Sequence, residues 1–167
     1  MFEVVLHEPE IPSNTGNIGR TCVATGCALR LIEPLGFDID EKACRRAGLD
    51  YWPRLRLRTH ENYDDYRATA PDSRRWLMST KGGRCVYDAD LRPGDHLIFG
   101  KESAGLPGSI LDDDPDRILR LPMVAGERSL NLSTVVCAVV YEGLRQCLAR
   151  GEAALDTNGH LLLRCQR

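Results

Sequence analysis

The sequence predicts an α/β protein built on a mostly parallel sheet. Short apolar runs at Phe2–Leu6 and Ala28–Ile32 have the composition of strands, and the polar segment between them has the pattern of a helix. Strand, helix and strand in this order place parallel strands side by side in one sheet. With 167 residues, 43% of them hydrophobic, the chain can bury a single core. We expect one domain over residues 1–150 with helices on both faces of the sheet, and an unassigned tail over 151–167.

The first helix follows the first strand after a polar, proline-bearing segment. Ser13, Asn14 or Thr15 can cap its N-terminus, and Gly26 marks its end. After the second strand, Glu33–Gly36 is a turn, and Asp38 or Asp40 can open a short helix that reaches Gly48.

The rest of the chain continues the alternation. The expected strands are short apolar runs, at Leu55–Thr59, Arg75–Ser79, His96–Phe99 and Ile118–Leu121. The expected helices have the longer amphipathic period, at Glu61–Ala70, Pro107–Leu111 and Asn131–Arg150.

The last of these helices is apolar on more than one side. Its main stripe has the i, i+3, i+4, i+7 spacing that packs on a sheet, at Leu132, Val135, Val136, Val139, Val140, Leu144, Cys147 and Leu148. A second face is small or amphipathic rather than charged, at Thr134, Cys137, Ala138, Tyr141 and Arg145. The first helix has a similar second face at Val23, Ala24 and Cys27. A sheet of this size cannot cover both faces, so we expect a homodimer.

Charge is unevenly distributed along the chain. Lys and Arg number 22 against 24 for Asp and Glu, a net charge of −2. Between Lys42 and Arg84 there are eleven basic and five acidic residues, which leaves +6 in that segment and −8 elsewhere. This segment is a candidate surface for a polyanion, although solvated helices carry similar charge runs.

Cysteine and histidine usage predicts no metal site. The seven cysteines form no C-x-x-C pair and the four histidines are scattered singly. An odd cysteine count within apolar stretches favours reduced core thiols in a cytoplasmic protein. The first residues lack the pattern of a signal peptide, and no apolar run reaches the ~20 residues of a membrane span. We expect a cytoplasmic protein without a membrane segment.

Familiar nucleotide motifs are absent. Gly100–Gly105 has the glycine spacing of a Walker loop, but Leu106 and Pro107 replace the required Lys and Ser or Thr. The sequence has neither a G-x-G-x-x-G after the first strand nor a G-x-S-x-G elbow.

Three loops that follow strands are rich in small and polar residues. They are His7–Arg20, Gly100–Pro107 and Pro122–Asn131. Ligands of open α/β sheets bind outside the carboxyl ends of the strands. Any one glycine or serine here is explained by a turn or a helix cap, but three such loops together indicate a site.

These loops resemble the three signature motifs of the SPOUT class of RNA methyltransferases, in its small SpoU-type branch. The first motif is His7–Arg20 together with Ile32–Phe37, the second is Phe99–Pro107, and the third is Leu121–Ser133. Arg45–Tyr51 is similar to a segment of the branch that 2′-O-methylates the tRNA wobble nucleotide. The resemblance covers residues 1 to 148.

The resemblance implies the fold and the activity together. It implies a sheet whose C-terminal segment threads a deep trefoil knot, a homodimer, S-adenosylmethionine as cofactor, tRNA as substrate and no metal. One alternative is a SpoU-type 2′-O-methyltransferase acting on another tRNA position or on ribosomal RNA. A second is a non-catalytic RNA-binding module with the same fold.

The resemblance also implies roles for individual residues. The catalytic group comprises Arg20, Tyr141 and Asn131. The cofactor-binding group comprises Met78, Gly100, Glu102, Leu121 and Ser129, and the substrate-binding group comprises Asn14, Arg20, Arg45 and Arg46. A guanidinium is a poor proton acceptor, so we expect Arg20 to hold a phosphate and stabilise the developing alkoxide while the proton leaves to phosphate or water.

Three residues depart from the family pattern. Gly19 stands where a branched apolar residue is common, His7 replaces a frequent aromatic residue, and Lys101 replaces a frequent proline. Because glycine has a low helix propensity, we expect Gly19 to loosen the helix that carries Arg20.

Overall fold

The computed structural model describes residues 1–38 and 50–162. Seven strands in this part of the chain form one sheet in the order β3-β2-β1-β6-β4-β7-β5, and every neighbouring pair is parallel. The strands are β1 (Glu3–His7), β2 (Ala28–Ile32), β3 (Leu57–His60), β4 (Arg75–Met78), β5 (Arg84–Cys85), β6 (His96–Phe99) and β7 (Ile118–Arg120). This is the parallel sheet that the sequence predicts.

Helices cover both faces of the sheet. The α-helices of the described residues are α1 (Pro12–Thr25), α2 (Tyr63–Thr69), α3 (Gly108–Asp113) and α4 (Leu132–Ala149). Short 3-10 helices lie at Trp52–Arg54, Val86–Asp88 and Pro115–Arg117.

Side-chain alternation in β1 divides the core into two layers. Val4 and Leu6 point into the larger cluster, with residues of α1 and α4, whereas Val5 points into the smaller one, with residues of α2 and α3. Gly143 allows α4 to approach the sheet closely, because a Cβ there would lie 2.5 Å from the ring of Phe2.

The second face of α4 is uncovered within one chain. Thr134, Ala138 and Tyr141 are exposed, as the sequence predicts for a face that needs a partner. The matching prediction for the first helix is wrong at Cys27, which is 2% exposed and belongs to the core of its own chain. By length and composition α4 alone, among the described residues, could span a membrane, and 39% of it is buried in the protein.

The tail beyond α4, which the sequence left unassigned, contains a hairpin in its described part, residues 151–162. Residues Ala154–Leu155 (β8) and Leu161–Leu162 (β9) pair as an antiparallel hairpin, and the partly buried Leu161 packs against the core. The division of the chain at residue 150 stays a prediction.

Most expected elements of the described residues lie where the sequence places them. The strand β5 and the hairpin were not predicted, because runs of two residues carry no periodic signal. The expected helix from Asp38 or Asp40 to Gly48 falls almost wholly outside the described residues. The trefoil knot stays a prediction, since strand order does not describe how the chain threads.

The start of α1 also differs from the prediction. The helix begins at Pro12, its N-cap is Ile11, and no side chain of its own first turn caps it. Ser13, Asn14 and Thr15 are therefore inside the helix rather than before it.

The order of the strands in the sheet places the three motif loops next to one another. Strands β1, β6, β4 and β7 are consecutive neighbours in the sheet and run in the same direction. The loops that follow them therefore meet at one edge.

Candidate functional site

A cavity of about 650 Å³ lies at the carboxyl ends of β4, β6 and β7. This volume lies within the range of small-molecule sites, ~300–1,000 Å³. All five predicted cofactor-binding residues line it: Met78, Gly100, Glu102, Leu121 and Ser129. Asn14 and Asn131 line it too, whereas Arg20 and Tyr141 do not.

Gly100 is required by the protein's own backbone. A Cβ at this position would lie 2.0 Å from the carbonyl carbon of Gly105 and 2.2 Å from the amide nitrogen of Leu106. The loop after β6 turns back on itself here, with an isolated bridge between Lys101 and Gly105. The absence of a side chain at Gly100 is therefore needed by the turn itself, because the backbone of Gly105 and Leu106 fills the space that a Cβ would occupy.

Glu102 holds the beginning of α1. Its carboxylate accepts hydrogen bonds from the backbone N–H groups of Glu10 at 2.9 Å and Ile11 at 3.3 Å, and from Nδ2 of Asn14 at 2.9 Å. A carboxylate from a distant loop thus supplies the negative charge that the first turn of α1 lacks.

Two further contacts tie the same loops together. The Lys101 ammonium donates to Glu8 at 2.7 Å, and the backbone N–H and hydroxyl of Ser103 donate to Glu10 at 2.9 and 2.8 Å. The ion pair with Glu8 gives Lys101, one of the three departures from the family pattern, a structural role.

Asn131 and Asn14 connect the third motif to the first. Oδ1 of Asn131 caps α4 by accepting from the backbone N–H groups of Ser133 and Thr134, and its Nδ2 donates to Oδ1 of Asn14 at 3.0 Å. Asn14 is 5% exposed and its amide is engaged at both ends. Its predicted contact with substrate stays untested, but the geometry favours an internal role.

Arg20 lies exposed on α1 beside a buried aromatic ring. Its guanidinium lies 4.5 Å from the ring centroid of Tyr51 and 3.7 Å from a carboxylate oxygen of Asp50, while its side chain remains 60% exposed. Tyr51 is itself held by a hydrogen bond from its hydroxyl to the carbonyl of Gly16. Stacking on a fixed ring restrains Arg20 without occupying its N–H donors.

Gly19 makes this arrangement possible. A Cβ there would lie 3.2 Å from Leu55, 3.3 Å from Trp52 and 3.4 Å from Tyr51, so a branched side chain would displace the aromatic residues. The expectation that Gly19 only loosens the helix misses this contact. In the sequence, Asp50 and Tyr51 are visible only as part of the family-like segment Arg45–Tyr51. Their contact with Arg20 is visible only in the structure.

The third departure, His7, behaves as the aromatic residue that it replaces. Its ring lies edge-on to Tyr63 with the centroids 6.2 Å apart, and the residue is 5% exposed. Burial lowers the pKa of His7 and keeps it neutral near pH 7.

Tyr141 lies on the uncovered face of α4, 51% exposed and outside the cavity. Within one chain it does not complete the site with Arg20 or Asn131. Its predicted catalytic role stays untested.

The basic segment is only partly available to a polyanion. Arg45 and Arg46 lie outside the described residues. Arg74 pairs with the buried Asp95 at 2.7 Å, and the side chain of Arg75 is 12% exposed with Asp114 at 3.6 Å. Arg54, Arg58 and the other exposed basic residues of the segment remain candidates for phosphate contacts.

Within residues 1–38 and 50–162, no group of three or more His, Cys, Asp or Glu side chains could hold a metal ion. Cys22 and Cys27 are buried, and burial raises the pKa of both thiols.

The chain matches the SpoU rRNA Methylase family over residues 1–141. It belongs to the SpoU methylase family. This result agrees with the three motif loops and with the parallel sheet that joins them.

Close relatives of this SpoU methylase have a defined activity. A protein of Saccharophagus degradans named tRNA (cytidine(34)-2′-O)-methyltransferase is 49% identical over 147 residues, which is 87% of this chain and 96% of that protein. A solved structure concerned with 2-OH methylation of C/U34 on tRNA is 42% identical with a TM-score of 0.84, covering 90% of this chain and 98% of the other. The SpoU methyltransferase AviRb of Streptomyces viridochromogenes, solved with AdoMet, shares the fold at 24% identity and a TM-score of 0.73, over 88% of this chain and 60% of its own.

Proposed function

We propose that this SpoU methylase transfers a methyl group from S-adenosylmethionine to the ribose 2′-hydroxyl of the tRNA wobble nucleotide, position 34. The observation that carries the proposal is the cavity where the three motif loops meet, with an exposed, restrained arginine on the helix that begins at its rim. The named activity of relatives that match almost end to end supports the choice of substrate.

The cavity residues fit the proposed cofactor. Met78, Leu121 and Leu132 offer apolar surface, and the segment Arg128–Asn131 before α4 offers backbone groups and polar side chains. Such a mixture suits a ligand that has an adenine ring and aliphatic carbons as well as charged groups. When bound, S-adenosylmethionine supplies an electrophilic methyl group on a sulfonium.

Arg20 serves the acceptor side of the reaction. A guanidinium offers N–H donors and no acceptor, so Arg20 donates to a phosphate or to the ribose oxygen that becomes negative as its proton leaves. The ring of Tyr51 limits the orientations that Arg20 samples, which reduces the entropy lost when RNA binds.

A second copy of the chain completes the site. Tyr141, Ala138 and Thr134 form an exposed face on α4, and this face would be covered in a homodimer. Tyr141 then lies in the interface, where it can meet groups that its own chain does not place near it.

The test is position-specific methylation of tRNA. The protein is incubated with labelled S-adenosylmethionine and either tRNA or the same tRNA with a 2′-deoxynucleotide at position 34, and the methylated nucleoside is mapped by mass. We expect label at position 34 only, and none in the deoxy tRNA. Label at another tRNA position, or in ribosomal RNA supplied in a parallel reaction, would favour the first alternative. Cofactor binding without methyl transfer would favour the second.

Arg20→Ala tests whether Arg20 acts on the RNA that accepts the methyl group rather than on the cofactor that donates it. We expect methyl transfer to fall by at least ~100-fold, the size usual for a group that stabilises a developing oxyanion, with unchanged affinity for S-adenosylmethionine in calorimetry. Loss of cofactor binding in Arg20→Ala would contradict the role given to Arg20.

A further inference from the structure

Glu102, Asn14 and Asn131 form a continuous chain of hydrogen bonds between two helix N-termini. It runs from the start of α1, through the Glu102 carboxylate and the Asn14 amide, to the Asn131 amide at the start of α4. The three residues belong to three separate motif loops, so no one loop contains the arrangement.

The chain of hydrogen bonds has only one possible direction. At the α4 end, the backbone N–H groups of Ser133 and Thr134 can only donate, so Asn131 must turn Oδ1 toward them and Nδ2 toward Asn14. At the other end the Glu102 carboxylate can only accept, so Asn14 must turn Nδ2 toward it and Oδ1 toward Asn131. Each amide orientation is determined from both ends.

From this geometry we infer that Glu102 is a positioning residue that sets the orientation of Asn131 through Asn14. The inference rests on the proposed function and on the catalytic role that the family resemblance implies for Asn131. It replaces the direct cofactor contact expected for Glu102, whose two carboxylate oxygens both face α1.

The hydrogen bonds that run from Glu102 through Asn14 to Asn131 are called the relay below. Glu102→Gln interrupts the relay without changing the size of the side chain at position 102. A glutamine has one acceptor and one donor group where the glutamate has two acceptors. Depending on how the new amide turns, its NH2 group faces either the Glu10 N–H, or both the Ile11 N–H and the Asn14 amide, all of which are donors. If the Asn14 amide flips so that its oxygen faces position 102, its NH2 group faces the NH2 group of Asn131. If Asn131 flips in turn, its NH2 group faces the backbone N–H groups at the N-terminus of α4. We expect the methyl-transfer rate to fall about 10- to 100-fold, the effect of one unsatisfied buried polar group.

Asn14→Asp is the complementary change. Alone it places two carboxylates at a contact of 2.9 Å and removes the donor to Glu102, so it should also lower the rate. Combined with Glu102→Gln it should restore the relay. The new amide at position 102 then donates to the new carboxylate at position 14, and that carboxylate still accepts from Asn131. Only the longer contact from the Ile11 N–H, at 3.3 Å, loses its acceptor in the double variant. The double variant keeps the net charge of the wild type.

The experiment measures methyl transfer to tRNA, S-adenosylmethionine affinity and the thermal midpoint for the wild type, both single variants and the double variant. We expect the double variant to transfer methyl groups at least about tenfold faster than either single variant. Equal or additive losses in the double variant would overturn the inference. Loss of cofactor affinity in Glu102→Gln that Asn14→Asp does not restore would show direct cofactor binding instead. An inactive wild type would contradict the proposed function rather than the relay.

A second measurement needs only the single variant. Hydrogen exchange of the peptide that starts α4 should quicken in Glu102→Gln, because Asn131 no longer caps Ser133 and Thr134 firmly. Ser103→Ala is the matched control: it removes another contact between the same loops, to Glu10, and lies outside the relay. Unchanged exchange in Glu102→Gln, or equal changes in both variants, would refute the coupling.

Discussion

Gly100→Ala tests whether the cavity depends on the turn behind it. The added Cβ would lie 2.0 Å from the carbonyl carbon of Gly105, whereas ordinary contacts begin at 3.4 Å, so the turn must move by 3.4 − 2.0 = 1.4 Å. Backbone cannot rotate away as a side chain can, so we expect a loss near the upper end of the range for overpacking, about 3 kcal/mol in unfolding free energy. For a chain of this size the thermal midpoint then falls by about 6–12 °C.

Gly100→Ala should lower the affinity for the cofactor as well as the stability of the fold. Gly105 and Leu106 line the cavity, so its rim moves when the turn moves. We expect S-adenosylmethionine to bind about tenfold more weakly in calorimetry, which corresponds to ~1.4 kcal/mol.

The control is Gly108→Ala, at the first residue of α3. A Cβ there meets no atom within 4 Å, and alanine favours the helix, so both midpoint and affinity should match the wild type or exceed it slightly. The reasoning is refuted if Gly100→Ala retains the wild-type midpoint and affinity.

Three other properties follow from the described residues. Burial lowers the pKa of His96, which lies beside the Tyr66 hydroxyl, from 6.5 to about 4. The contribution of neutral His96 to folding stability is therefore fully present above pH 6.5 and is lost as the pH falls toward 4. In urea unfolding, the wild type should lose about 3 kcal/mol more than His96→Gln between pH 7 and pH 4, and equal losses would contradict this explanation. Ala138→Glu should give a monomer in light scattering, with Ala68→Glu on the opposite layer as control, whereas a monomeric wild type would rule out the dimer. Arg54→Ala should weaken tRNA binding and reduce the slope of log affinity against log salt concentration by about 0.7–0.9. The control Arg150→Ala breaks an ion pair with Glu152 at 2.8 Å and should change neither the affinity nor the slope. Equal effects of the two variants would show that the basic segment is only a solvated surface.

The strands and long helices could be predicted because their signal is local. Ala28–Ile32 and His96–Phe99 are found where the apolar runs place them, and α4 follows its hydrophobic period within one residue at each end. Short elements such as β5 carry no such signal. The five residues predicted to bind the cofactor came from motif resemblance, and the structure brings all five to one cavity.

The sequence by itself determined the alternation of strands and helices, the second face of α4 and the loops that carry the site, because each depends on residues close together in the chain. Only the tertiary structure decided what those residues contact. Glu102 caps a helix that begins 90 positions earlier, Arg20 rests on Tyr51, and Arg74 is paired with Asp95 rather than free for a phosphate. Hydrogen bonds and ion pairs of this kind depend on distance and direction between groups from separate strands and loops, which no local pattern contains.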